Sequence, residues 1–240
     1  PAYEQSSDQE VAFQAVDYIL RVLKKNMVFG MTWGRAMHEF VEQLAKDERL
    51  RSLSFQNVKV VPFLGTPGAI QSDSWNTTTY SNALATKVGN LLHCASYNLS
   101  APMYVEGTKE KELIESIDEI AKVLHMAETA DIALIGIGSM QDDSSIIKAE
   151  IRTREEYKEL VRKGAVGEIV GRIYDKNGQT VDEDLKRKMV GISLDKIAKI
   201  PVRVGMSYGK DKIEAIKGAI AGGLVNVLVT DVPTAELLLK

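Results

Sequence analysis

The sequence predicts an α/β fold, a mainly parallel, Rossmann-like sheet with helices on both faces and a small antiparallel hairpin. Three observations carry that expectation. The apolar runs MVFGM, VKVVPF, DIALI, VRVGM and VNVLV are continuous rather than alternating, as in strands buried on both faces. Segments of helical periodicity lie between them and supply the crossovers that parallel strands need. Four of the runs end in short loops, TWGR, LGTPG, GIGSM and SYGKDK, of the kind found at the carboxyl edge of such a sheet, where ligands settle.

The elements follow in order. SDQEVAFQAVDYILRVLKKN opens as a helix, with Ser7 and Glu10 at capping-box spacing, Val11, Ala15, Tyr18, Ile19 and Val22 on one face, and lysines closing it. MVFGMTW reads as a strand, GRAMHEFVEQLAKDERL as a helix and VKVVPFLG as a second strand ending in glycine. TPGAIQSDSWNTTT is rich in turn formers, Trp75 being one of its loop residues, and YSNALATKVGNLLHC returns to helical spacing, with Cys94 in a packing role. SYNLSAPMYVEG is short and extended, KEKELIESIDEIAKVLHMAETA forms one or two helices, and DIALIGIGSM is a buried strand ending in a glycine turn. TREEYKELVRKG is helical. In GEIVGRIYDKNGQTV the dipeptide Asn177-Gly178 marks an antiparallel hairpin. Strand VRVGMSYG, helix KDKIEAIKGAIAGG, strand VNVLVTD and a last helix from Pro233 complete the chain.

Composition bounds the function. The 240 residues, 45% hydrophobic, suffice for a substantial core, and a net charge of −3 gives this chain no general attraction to nucleic acid. Cys94 is the single cysteine and His38, His93 and His125 stand apart from one another, so neither a disulfide, a metal nor another cofactor is expected, and a cytoplasmic setting fits. No stretch approaches the roughly 18 to 20 apolar residues of a membrane-spanning helix, and the opening PAYEQSSDQE is unlike a signal peptide. Neither a Walker A pattern nor GxGxxG occurs.

From about Val16 onward the chain resembles the sugar-binding, effector-sensing domain of SorC/DeoR-type bacterial transcriptional regulators. The resemblance rests on GMTWGRAM, VKVVPFLGTPG, SNALATKV, LSAPMYV, DIALIGIGSMQDDSS, GAVGEIVGRIYDKNGQTV, the long block from VGISLDKIAKI through VNVLVTD, and TAELLL. It implies a fold similar to sugar-phosphate isomerases used as a sensor, with residues 1–240 forming one effector domain. It also implies a phosphorylated sugar as ligand, a homodimer or homotetramer, and operator DNA bound by a helix-turn-helix that would precede residue 1.

The resemblance carries a set of site residues. Lys212 occupies the family's lysine before EAI, where its ammonium and a helix N-terminus would together attract phosphate; the competing reading is a solvated lysine, which is the reading for Lys210. Glu168 falls where the family has an acid facing the sugar, against the alternative of an exposed strand or loop acid. Gly34 and Arg35 stand at the phosphate end, where Arg35 could grip the anion bidentately, while Thr32 and Trp33 read as structural. Gly65 and Thr66 match the glycine-rich turn, although Pro67 removes a backbone donor and Leu64 replaces a polar or basic residue of some members, leaving no lysine for a Schiff base. Gly138, Ser139 and Met140 complete the rim, and Asn82 either caps its helix or reaches the sugar.

Two further classes of function compete with a sensor that binds without turnover. One is a sugar-phosphate isomerase or deaminase, which would need a general base with an acid partner, whereas the histidines fall outside the candidate loops. The other is an oligomerisation module without a small ligand, using apolar residues of the first and last helices.

Overall fold

The computed structural model describes residues 7–67, 77–141 and 144–240. The chain runs α1 (Ser7–Val22), β1 (Val28–Met31), α2 (Arg35–Leu44), β2 (Lys59–Pro62), α3 (Ser81–Leu91), β3 (Ala95–Ser96), α4 (Thr108–Glu115), α5 (Asp118–Glu128), β4 (Ile132–Gly136) and β5 (Gly138–Ser139). It continues with α6 (Ser145–Lys148), α7 (Arg154–Arg162), β6 (Ala165–Ile169), β7 (Arg172–Asp175), α8 (Glu183–Lys188), α9 (Leu194–Ile197), β8 (Val202–Met206), α10 (Ile213–Ala221), β9 (Val227–Val229) and α11 (Val232–Leu238). The expectations for the Ser7 side chain and for Trp75 lie outside what is described.

Six strands form one sheet in the order β3-β2-β1-β4-β8-β9, parallel throughout. The α/β architecture is therefore as predicted. Its strands lack alternation because both faces are covered. Ile132 and Leu134 of β4 enter a core with α1, α2 and α3, while the alternate residues Ala133 and Ile135 enter another with α5, α10 and the second sheet. Gly30 of β1 is dictated by this packing, since a Cβ there would stand 1.9 Å from the Phe63 ring. The order reverses between β1 and β4, so the carboxyl ends of these two strands bound the crevice in which a doubly wound sheet takes its ligand.

Local signals explain most element ends. Thr153 and Glu156 close a reciprocal capping box on α7. Asp231 accepts from Thr234 N at 3.0 Å to cap α11, with Pro233 in its first turn. Among the described residues no helix is long and apolar enough to cross a membrane.

One expectation needs correction and another is incomplete. GIGSM is not a turn leading into a helix: Gly138 and Ser139 form β5, which pairs antiparallel with β6 and opens a three-stranded second sheet, β5-β6-β7. A tight turn that the sequence does not signal, Val170–Gly171, flanked by the Ile169–Arg172 pair, joins β6 to β7 ahead of the one expected at Asn177–Gly178. Val170 has φ 55 and Gly171 φ 67, the left-handed pair that a two-residue hairpin turn requires. The expected turn at Asn177–Gly178 also folds the chain back antiparallel, with Gly178 N donating to Asp175 O, Val181 N donating to Ile173 O and Tyr174 bridging Thr180.

Candidate functional site

The carboxyl ends of β1, β4 and β8 are held together by side chains that close on main chain. Thr32 is buried and its Oγ1 accepts from Gly136 N at 3.0 Å, joining the ends of β1 and β4. Ser207, also buried, donates from Oγ to Ile137 O at 3.2 Å and so joins β8 to β4. Beyond Ser207 the chain turns at Gly209, whose φ of 105 suits glycine and whose N–H donates to the buried Thr234 Oγ1 at 2.8 Å. That turn delivers Lys212 to the N-cap of α10 with its side chain directed back across the edge of the sheet.

Four polar side chains meet there. Lys212 Nζ donates to Ser139 Oγ at 2.9 Å, and Ser139 Oγ donates to Asp211 Oδ2 at 3.1 Å. Lys212 Nζ also lies 3.4 Å from Asp211 Oδ2. Glu168 stands beside this group on β6, opposite Gly138, and is only 7% exposed. The reading of Glu168 as an exposed acid is thereby overturned. Its Oε2 is buried and makes no hydrogen bond, an arrangement that stays costly until a donor arrives. Burial pushes the Glu168 carboxyl up to about 7, against the opposing pull of the Lys212 ammonium.

Gly138 is glycine because of Glu168: a Cβ there would sit 2.7 Å from Glu168 Cγ. Gly34 is the N-cap of α2 at φ 102, its N–H donating to Thr79 O at 3.0 Å. Arg35 follows as an exposed residue whose charge acts on Tyr208, next to Ser207. Burial and a hydrogen bond to Asp8 push the Tyr208 hydroxyl upward. Met140 is half-buried and packs on the core.

Gly65, Thr66 and Asn82 form a second group. Asn82 does not cap α3, whose N-cap is Tyr80. Its Nδ2 donates to Thr66 Oγ1 at 2.9 Å and to Leu99 O at 3.1 Å, and its Oδ1 accepts from Leu99 N at 2.9 Å. Gly65 is fixed by backbone, since a Cβ would lie 2.5 Å from Ala101 O. A groove of about 640 Å³ runs beside this group, lined by Thr66, Asn82, Thr86, Lys87, Asn98 and Ser100 among others. Neither Lys212 nor Glu168 lines it. What marks the Lys212 end is buried, unsatisfied chemistry rather than volume.

Sequence reasoning thus reached Lys212, Ser139 and Glu168, which meet, and missed Asp211, Ser207 and Thr234, which organise them. The signal for Asp211 is local, an acid adjoining the candidate lysine in a glycine turn. Among the described residues no group of three or more His, Cys, Asp or Glu side chains is placed to hold a metal.

A family model for a sugar-binding domain, Sugar-bind, matches residues 1–240. The chain is 30% identical over 222 residues to the sorbitol operon regulator of Klebsiella pneumoniae, covering 92% of this chain and 67% of the relative. It is 32% identical over 204 residues to the transcriptional regulator LsrR of Escherichia coli K12, covering 82% and 64%. The chain therefore spans about two thirds of the length of these curated relatives. Among solved structures, the full-length sorbitol operon regulator SorC of Klebsiella pneumoniae superposes with a TM-score of 0.85 at 28% identity, over 98% of this chain and 72% of that one. A DeoR family transcriptional regulator from Listeria monocytogenes gives 0.84 at 23%, over 99% and 90%, a likeness of fold.

Proposed function

We propose, from the premise that this chain belongs to the sugar-binding domain family of SorC- and LsrR-type transcriptional regulators, that it is the effector domain of such a regulator and that its effector is a phosphorylated sugar. The observation that carries this reading is the pairing of Lys212, tied to Ser139, with a buried Glu168 whose Oε2 has no partner. The cationic end suits the phosphate, since Lys212 and Gly34 are each the N-cap of a helix and Arg35 adds a second cation at the start of its own. The acidic end suits hydroxyls, because a carboxylate accepts from two at once. Met140 adjoins this pair in the chain, and we assign a flanking role to Gly65, Thr66 and Asn82, the separate group beside its own groove.

Regulation then follows from differential affinity: the ligand shifts the protein toward the state it binds better, and DNA binding by a helix-turn-helix on the N-terminal side changes with it. The names of the relatives support a regulator over an enzyme. Glu168 is the group that most resembles a general base, and the proposal assigns it hydrogen bonding alone. Exposed Phe13 on α1 and Val232 on α11 support association into homo-oligomers through the first and last helices.

The test is a thermal-shift screen of sugars, each offered with and without its phosphate, followed by recovery of the ligand. A phosphorylated sugar at about 100 times its dissociation constant should add roughly 2.7 kcal/mol of stability. Its parent sugar should add little, and the ligand should be recovered unchanged. Equal shifts from parent and phosphorylated forms would remove the phosphate from the account, and a recovered product would make the protein an enzyme.

A further inference from the structure

Asp211 is placed where an acid works against the proposed task of the site. Its carboxylate lies 3.4 Å from Lys212 Nζ and accepts from Ser139 Oγ at 3.1 Å, so the two strongest donors of the cluster are already engaged by an anion of this chain. The fold makes room for that contact. Gly209 turns at φ 105, and a Cβ there would come within 2.8 Å of Asp211 Oδ1, so the carboxylate folds back over a position that only glycine leaves open. An acid near a helix N-terminus has an ordinary role beside the helix dipole, yet this one is turned onto the side chains of Lys212 and Ser139. Its own side chain is 50% exposed against 22% for Lys212, so it can leave for water while the lysine stays.

We propose that Asp211 is a built-in counter-anion: its carboxylate holds the place beside Lys212 and Ser139 that a ligand's anionic group takes, so binding requires its displacement. The inference rests on the reading of Lys212 as an anion-binding residue. A neutral sugar gains nothing by displacing a carboxylate from an ammonium. A carboxylate ligand exchanges like for like. A phosphate dianion brings more charge and more acceptor oxygens than the group it replaces, and wins. Asp211 therefore restricts the site to ligands carrying a phosphoryl group and lowers their affinity in the same act.

The test titrates inorganic phosphate at pH 8 into the full chain and into Asp211→Asn, Asp211→Ser, Glu214→Gln and Lys212→Met, with ³¹P line broadening as the readout. Glu214 is a neighbouring acid on α10 that faces Lys217 at 3.9 Å, so Glu214→Gln changes net charge without touching the cluster. Asp211→Asn and Asp211→Ser should each bind phosphate on the order of tenfold more tightly, and Glu214→Gln should stay within about twofold of the natural chain because exposed charges at longer range are screened. Lys212-dependent binding that is unchanged or weakened in both Asp211 variants would overturn this inference alone. An equal gain in Glu214→Gln would overturn it as well, by reducing the effect to net charge. Binding that survives Lys212→Met undiminished, or no binding to any form, would overturn both this inference and the reading of Lys212 beneath it.

Discussion

Lys212→Met should weaken binding of a phosphorylated sugar by about two orders of magnitude while leaving the fold intact. The side chain is 22% exposed, its ammonium donates to Ser139, and it sits at the N-cap of α10. A charge-assisted contact in such a place contributes on the order of 2 to 3 kcal/mol, which is a factor of roughly 30 to 150. Methionine retains most of the apolar stem, so the loss belongs to the charge. Calorimetric titration of both forms with the strongest phosphorylated ligand checks this, and an affinity retained within threefold would place the phosphate elsewhere.

Glu168→Gln should stabilise the chain above neutral pH and flatten its pH dependence. The carboxyl titrates at about 7 in the folded chain, against an ordinary value of 4.5, because burial penalises its charge. Between those values the folded chain binds more protons than the unfolded one, so stability falls as pH rises. The penalty is absent below pH 4.5 and complete above pH 7, where it amounts to about 3 kcal/mol. The glutamine variant carries no such charge. The two proteins should unfold alike near pH 4.5 and diverge by several degrees in Tm at pH 8. Parallel unfolding curves at both pH values would mean that Glu168 is better solvated than its packing indicates. The same substitution should weaken sugar phosphates more than inorganic phosphate, because only the former present hydroxyls to Oε2.

Much of the sheet was legible because burial on both faces writes itself as an unbroken apolar run, as in IALIG of β4 and VRVGM of β8. The two-residue strands carry no such record. Ala95–Ser96 straddles the end of a helical segment and the start of an extended one, and Gly138–Ser139 resembles a turn because glycine there serves the packing of Glu168. The Val170–Gly171 turn is hidden from the sequence for a related reason. Asn-Gly is the strongest local turn signal, whereas a β-branched Val170 argues against positive φ, and the contacts of a residue only 2% exposed override that preference. In the site, residue types and loop positions pointed to Lys212, Ser139 and Glu168. The burial of Glu168, the engagement of Asp211 and the structural role of Asn82 arise from pairings across 17 to 73 positions in the chain, such as Asn82 with Leu99 and Lys212 with Ser139, which local sequence does not encode.

The central claim is that one site holds phosphate at Lys212 and hydroxyls at Glu168. A crystal structure of the chain with the phosphorylated sugar that stabilises it most tests this directly. Phosphate oxygens should lie within hydrogen-bond distance of Lys212 Nζ, with Asp211 turned away and a sugar hydroxyl on Glu168 Oε2. A ligand lying in the groove between Thr66 and Lys87, with Lys212 still bonded to Ser139 and Asp211, would contradict it.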